Sequence, residues 1–234
     1  RIVDLAHRLG IQSPLKPYPS IALGAQEVTL LDMVSAYGTI AQYGFRIEPT
    51  FITRIEDPEG QTRYKHKPNP VPVINPDYAA IIINLMQHVV NHGTGRRIRS
   101  LGFRGPVAGK TGTTNDNTDA WFTGFTPTLV TSAWVGFDNR QGRRQLIEKK
   151  TRRQITGGSG AAPIWAAFMK TVNANNQTSA FITPIGITEH ALNLRTGIPD
   201  TSANAISLAL PNGVVPNTPA DTLIFLQTQI DSNH

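Results

Sequence analysis

Up to Val90 the apolar residues recur mostly at helical spacing, and after Pro106 they alternate with a period of two, which predicts helices first and a sheet afterwards. The opening segment from Ile2 to Leu9 is amphipathic and ends at Gly10. Pro14, Pro17 and Pro19 then stiffen an extended connection. A second helix starts after Thr29, which can cap it together with Asp32; Leu31, Val34 and Tyr37 mark its expected inner face, and Gly44 after Tyr43 supplies a left-handed stop. Phe51 to Ile55 predicts a strand ended by the turn Asp57-Pro58-Glu59-Gly60. Asn75-Pro76-Asp77 predicts a helix start with proline at the first helical position, leading through Tyr78 to Val90 and closing at Gly93.

Three short strands are expected at Val107 to Thr113, Ala120 to Phe125 and Leu129 to Phe137, the latter two joined through Thr126-Pro127-Thr128, which makes an antiparallel meander. A helix beginning near Pro163 and carrying Trp165, Phe168 and Met169 is expected to pack on it, with those side chains in the core. Beyond Asn176 the chain is turn-rich, with strand candidates at Ile185 to Leu194, Ala205 to Leu210 and Leu223 to Leu226. The fold class is therefore mixed α/β (α+β), an antiparallel sheet flanked by helices.

Composition narrows the chemistry only a little. The 234 residues can bury a core without staples, and the absence of cysteine removes disulfides and thiolate catalysis. A net charge of +6 suits an anionic partner, which charge alone leaves open among nucleic acid, phospholipid headgroups and an acidic cell-wall polymer. No apolar run approaches the roughly 18 to 20 residues that cross a bilayer. The sequence starts at Arg1 inside a helical pattern with nothing before it to cap, so the start reads as a cut. The six histidines lack metal-site spacing, and His88 and His92 read as capping or surface groups at a helix end. From Arg140 to Arg153 a tract of seven basic residues, interrupted mainly by Glu148, reads as a solvated loop.

The most informative stretch is Gly109-Lys110-Thr111-Gly112-Thr113-Thr114. On a strand, Thr111 and Thr113 share one face and Lys110 lies with Gly112 on the other. Two hydroxyls so placed can donate to a carboxylate, Lys110 adds a fixed positive charge, and Gly112 lets another chain approach the backbone. Taken alone the tripeptide reads as an ordinary strand with a snorkelling lysine, since a three-letter match is a weak signal. A phosphate-binding P-loop is excluded, because its first glycine falls on Arg104 and a polar loop follows where a helix is required.

The surrounding order carries more. Pro106 to Thr114, then Asp119-Ala120-Trp121-Phe122-Thr123-Gly124-Phe125-Thr126-Pro127, then Ala133-Trp134-Val135-Gly136 resembles the transpeptidase domain of penicillin-binding proteins. Ser20 to Thr29 leading into Met33-Val34-Ser35-Ala36-Tyr37, and Gly157 to Trp165, extend that resemblance to class A, bifunctional members of the 1A type over Arg1 to about Gly213. It implies a fold similar to that domain and to serine β-lactamases with its N-terminal part missing, residues 1–213 forming the C-terminal portion of the domain and 214–234 an extension.

In that family a serine attacks the penultimate D-Ala carbonyl of a peptidoglycan stem peptide and the acyl group passes to an amine on a neighbouring strand; β-lactams acylate the same serine. The resemblance gives Lys110 the proton network, Thr111, Gly112 and Thr113 the substrate, and the Thr113 backbone N–H one place in the oxyanion hole. Trp121 and Phe122 are expected to hold the sheet. No cofactor or metal is implied. The implied partners are stem peptides ending in D-Ala-D-Ala, β-lactam antibiotics and the remainder of the same polypeptide, with a membrane anchor in the intact protein at the periplasmic face of the inner membrane, and no nucleic acid.

Two spelled motifs mislead. Ser13-Pro14-Leu15-Lys16 has the letters of the Ser-x-x-Lys nucleophile motif on a proline-rich extended segment, where a helix is needed. Ser202-Ala203-Asn204 spells Ser-x-Asn but follows the Lys-Thr-Gly strand instead of preceding it. The nucleophile is therefore expected upstream, and the chain by itself is expected to be inactive. The alternatives are a β-lactamase-like hydrolase and a non-catalytic peptidoglycan-binding or scaffold fragment.

Overall fold

A computed structural model describes residues 1–137, 145–172, 179–193, 196–202 and 205–214. Helix α1 (Ile2–Leu9) ends at Gly10, whose φ of 123° lies outside what a side chain tolerates, and the extended segment that follows turns through a short 3-10 helix at Pro19–Leu23. Helix α2 (Leu30–Ala41) begins on a full capping box: the Asp32 N–H donates to Thr29 Oγ1, and the Thr29 N–H returns a bond to the Asp32 carboxylate. Its inner face differs from the expected one. Asp32, Ala36, Thr39 and Ile40 are buried, whereas Leu31 is 48% exposed. The cause is the carboxylate of Asp32, which turns inward to collect donors from the preceding segment and so rotates the apolar stripe. The helix also stops earlier, with Tyr43 itself left-handed at φ 52° before Gly44 at φ 93°.

Two short ladders follow. Strand β1 (Phe45–Arg46) pairs antiparallel with β4 (Val71–Pro72), and between them β2 (Arg54–Glu56) pairs with β3 (Thr62–Lys65) around the Asp57 turn. The predicted strand is thus shorter, because Phe51 and Ile52 stand in solvent and among the described residues have no partner strand to extend it. Helix α3 (Pro76–Asn91) is capped by Asn75, whose side chain accepts the Asp77 N–H, and a one-turn helix α4 (Arg97–Ser100) follows.

The main sheet has three antiparallel strands in the order β5 (Ala108–Thr113), β6 (Ala120–Phe125), β7 (Val130–Val135). One face, with Ala108 and Phe125, packs on Ile40 and Ile83 of α2 and α3. The other, with Phe122 and Ala133, packs on α5 (Ala162–Val172), which presents Trp165, Ala166 and Met169. Trp165 is fully buried and its indole N–H reaches the carbonyls of Gly124 and Thr131. Phe168, expected in the core, is 48% exposed, since the buried positions 162, 165, 166 and 169 leave it on the far side of the helix. The last hairpin, β8 (Ile187–Leu192) with β9 (Ile206–Pro211), docks on α3, where Asn84 accepts the Ala209 N–H and His88 Nε2 bonds the Ser207 carbonyl at 2.5 Å. The strand expected at Leu223 to Leu226 and all of the 214–234 extension except Val214 lie outside the described residues. Among the described residues no helix is long and apolar enough to cross a membrane.

Candidate active site

Strand β5 forms one edge of the sheet, and its register decides what that edge offers. The Thr114 N–H donates to the Asp119 carbonyl at 3.1 Å, one position beyond the Thr113↔Ala120 pair. Bonded pairs alternate in an antiparallel ladder, so Gly112 and Lys110 exchange bonds with Trp121 and Thr123. The N–H groups of Thr111 and Thr113 consequently point away from β6, toward an edge that no strand covers among the described residues. This edge can accept an extended chain or hold an oxyanion.

The side chains follow the expected alternation. Thr111 and Thr113 lie on the face of Phe122, and Lys110 and Gly112 on the face of Trp121. Trp121 packs beside Trp134, ring centroids 6.2 Å apart, and a Cβ at Gly112 would stand 3.2 Å from the Trp121 Cβ. Lys110 is exposed, and its ammonium donates to the Thr111 carbonyl at 2.8 Å. The Thr111 hydroxyl shares a 2.6 Å bond with that of Thr94. The Thr113 hydroxyl accepts the Gly157 N–H at 3.0 Å, which leaves its own proton free to donate.

Gly157 opens a π-helical turn, Gly157–Ala161, that is capped by Thr156 and Ser159 and leads into α5. It lies so close that a Cβ there would come within 2.5 Å of the Gly112 carbonyl oxygen and closer still to that of Trp121. Behind β5, Thr114 Oγ1 accepts the N–H groups of Thr118 and Asp119, and Asn117, at φ 53°, exchanges bonds with Leu146. The polar loop after β5 is therefore fixed at both ends.

Thr111 and Thr113 open onto a cavity of about 1210 Å³ whose other walls come from α4, the loop after it and the segment around Arg153. Of its arginines, Arg99 is held: its guanidinium donates to Asn91 and to the carbonyls of Phe103 and Gly105. Burial, and next the nearby Arg104 charge, pull its pKa below the ordinary arginine value. Thr94, Gly157 and these arginines were not legible as neighbours of β5 in the sequence. The signals available were the Thr94-Gly95-Arg96-Arg97 run just after a helix stop and the glycine cluster from Gly157.

Residues 16–170 match the penicillin-binding protein transpeptidase domain. The chain belongs to that family. Among curated relatives, penicillin-binding protein 1A of Aquifex aeolicus (strain VF5) is 37% identical over 171 residues, 73% of this chain and 22% of that protein. Penicillin-binding protein 1A of Neisseria lactamica is 41% identical over 156 residues, 64% of this chain and 18% of that protein. The chain thus spans about a fifth of the length of these relatives. Among solved structures, penicillin-binding protein 1A from Haemophilus influenzae superposes with a TM-score of 0.77 at 26% identity, covering 93% of this chain and 37% of that one. The PonA1 protein from Mycobacterium tuberculosis in complex with penicillin V gives 0.67 at 27% identity, covering 78% and 52%.

Within this penicillin-binding protein fold the two spelled motifs sit apart from β5's surroundings. Ser13 lies on the extended segment and donates to Asp32 Oδ2 at 2.5 Å. The Gln12 N–H and both polar groups of Thr29 donate to the same carboxylate. Burial pushes the Asp32 pKa up, but the bonds from Ser13, Gln12 and Thr29 outweigh it and hold the carboxyl at about 2. Ser202 donates its N–H and its hydroxyl to the Asp200 carboxylate in the β8–β9 connection, while Ala203 and Asn204 lie outside the described residues. Of the basic tract, Arg140, Arg143 and Arg144 lie outside them too, and Arg153, expected in a solvated loop, forms part of the cavity wall. Among the described residues no cluster of three metal-ligating side chains occurs.

Proposed function

We propose that this chain is the part of a peptidoglycan D,D-transpeptidase that receives the C-terminal carboxylate of the acyl donor and one oxyanion of the reaction. The observation that carries this is the open edge of β5, where the outward N–H groups of Thr111 and Thr113 stand beside their hydroxyls and the Lys110 ammonium. The terminal D-Ala carboxylate lies against Thr111 and Thr113, with Gly112 leaving the strand bare between them. A serine hydroxyl attacks the penultimate D-Ala carbonyl, losing its proton to the network that Lys110 supports. The tetrahedral oxygen takes the Thr113 N–H, the C–N bond breaks, and D-Ala leaves with the proton. An amine of a second stem peptide then takes the acyl group, or water takes it in the carboxypeptidase reaction.

On this reading the attacking serine comes from outside this chain, and the engagement of Ser13 with Asp32 on an extended segment and of Ser202 with Asp200 supports it. The work is placed at the periplasmic face of the inner membrane, and the substrate mimicry of β-lactams makes them acylating inhibitors. That the related PonA1 protein was solved with penicillin V supports the last point.

Labelled penicillin followed by peptide mapping tests the reading. The intact protein that carries this chain is expected to be labelled on a serine outside these 234 residues, and the 234-residue chain alone to remain unlabelled. A label on any serine of this chain overturns the assignment.

A further inference from the structure

Arg96, Arg97, Arg104 and Arg153 surround the cavity beside β5, and among the described residues no acid pairs with any of them. Among the described residues the single carboxylate on the walls is Glu148, which already accepts the Thr151 hydroxyl. Four like charges around one hollow repel one another, an arrangement that an anion inside relieves. Arg99 has another part: bound to Asn91, Phe103 and Gly105, it holds in place the segment that carries Arg104.

We infer that this arginine-lined cavity is a subsite for a second carboxylate of the acyl-donor peptide, beyond the terminal carboxylate assigned to Thr111 and Thr113. The inference rests on the transpeptidase reading of the same strand. Guanidinium forks match carboxylates in plane and number of donors. The cavity is continuous with the two threonines, so a peptide laid along β5 carries its side chains directly to it. Among the described residues no aromatic side chain lines the walls to offer a nucleobase or sugar ring a stacking surface.

Two peptides ending in D-Ala-D-Ala, identical except that one bears a free internal carboxylate and the other its primary amide, test this on the intact protein. At low salt the acid is expected to be preferred about tenfold in kcat/KM for D-Ala release, the preference shrinking as salt is added. The double variant Arg97→Gln/Arg104→Gln is expected to bring the ratio close to one. Equal rates for the two peptides at low salt, or an unchanged ratio in the variant, overturn the subsite. Should the variant fold poorly, the salt series on the unaltered protein decides. Labelling by penicillin together with equal peptide rates overturns the subsite alone, whereas no labelling and no D-Ala release from either peptide overturns the transpeptidase reading and the subsite with it.

Discussion

Two polar clusters in this molecule carry similar letters and opposite physics. Around Asp32, the Ser13 and Thr29 hydroxyls and the Gln12 and Thr29 N–H groups all converge on one buried carboxylate. Around β5, Lys110 donates to a carbonyl of its own strand, Thr113 keeps a proton to give, and two N–H groups face an edge that no strand covers among the described residues. The first cluster has its bonding capacity filled from within and acts as a fastener between the extended segment and α2. The second is held in position by Thr94 and Gly157 while its donors stay open to another molecule. Satisfaction of donors, rather than the spelling of a motif, separates the two.

The sharpest way to break this contrast is at Lys110. Lys110→Ala is expected to slow penicillin acylation of the intact protein by about 10²- to 10⁴-fold, the range for loss of a proton-transfer partner. Its stability to urea should change by under about 0.5 kcal/mol, because the ammonium is exposed and makes one bond within its own strand. A large loss of stability with acylation retained would assign Lys110 to the fastener class. Gly157→Ala comes next. A methyl there collides with the carbonyls of Gly112 and Trp121, so the turn has to lift off β5 and take the Thr113 partner with it. The expected cost is about 2 kcal/mol in denaturant unfolding, together with slower acylation, which marks this glycine as the joint between packing and site.

The sequence carried the sheet well and the neighbours of the site poorly, for identifiable reasons. Strands β5 to β7 are long enough for alternation to declare itself, and short turns between them fix the pairing. Strands β1 to β4 run for two to four residues, too short for any period to show. Lys110, Thr111 and Thr113 stand together on one strand and could be read directly. Thr94 and Gly157 reach them across 17 and 44 residues of chain, a pairing that only tertiary packing creates. The inner face of α2 was misread at Leu31 because a capping aspartate ordinarily points to water, and here it is a buried hub.

That hub sets a pH dependence of its own. With Asp32 lowered from the ordinary 3.8 to about 2 in the folded protein, its contribution is complete above pH 3.8 and is lost as pH falls toward 2. The loss is on the order of 1 to 2 kcal/mol, read as a fall in urea midpoint over that window. Asp32→Asn should flatten this part of the profile and lower stability at neutral pH. A profile equally steep in the variant would remove Asp32 from its place as the fastener.

Ser13→Ala gives the smallest effect and the cleanest distinction. The hydroxyl supplies one of several donors to Asp32, so its removal is expected to cost about 1 kcal/mol and to let the Asp32 pKa rise part of the way back. Neither change reaches β5, and penicillin labelling of the intact protein should proceed at an undiminished rate. A nucleophile at this position predicts the reverse, complete loss of labelling at nearly unchanged stability. Measuring both quantities on one variant therefore decides which cluster Ser13 belongs to, because a hydroxyl already donated to a buried carboxylate is oriented away from attack and toward holding the chain.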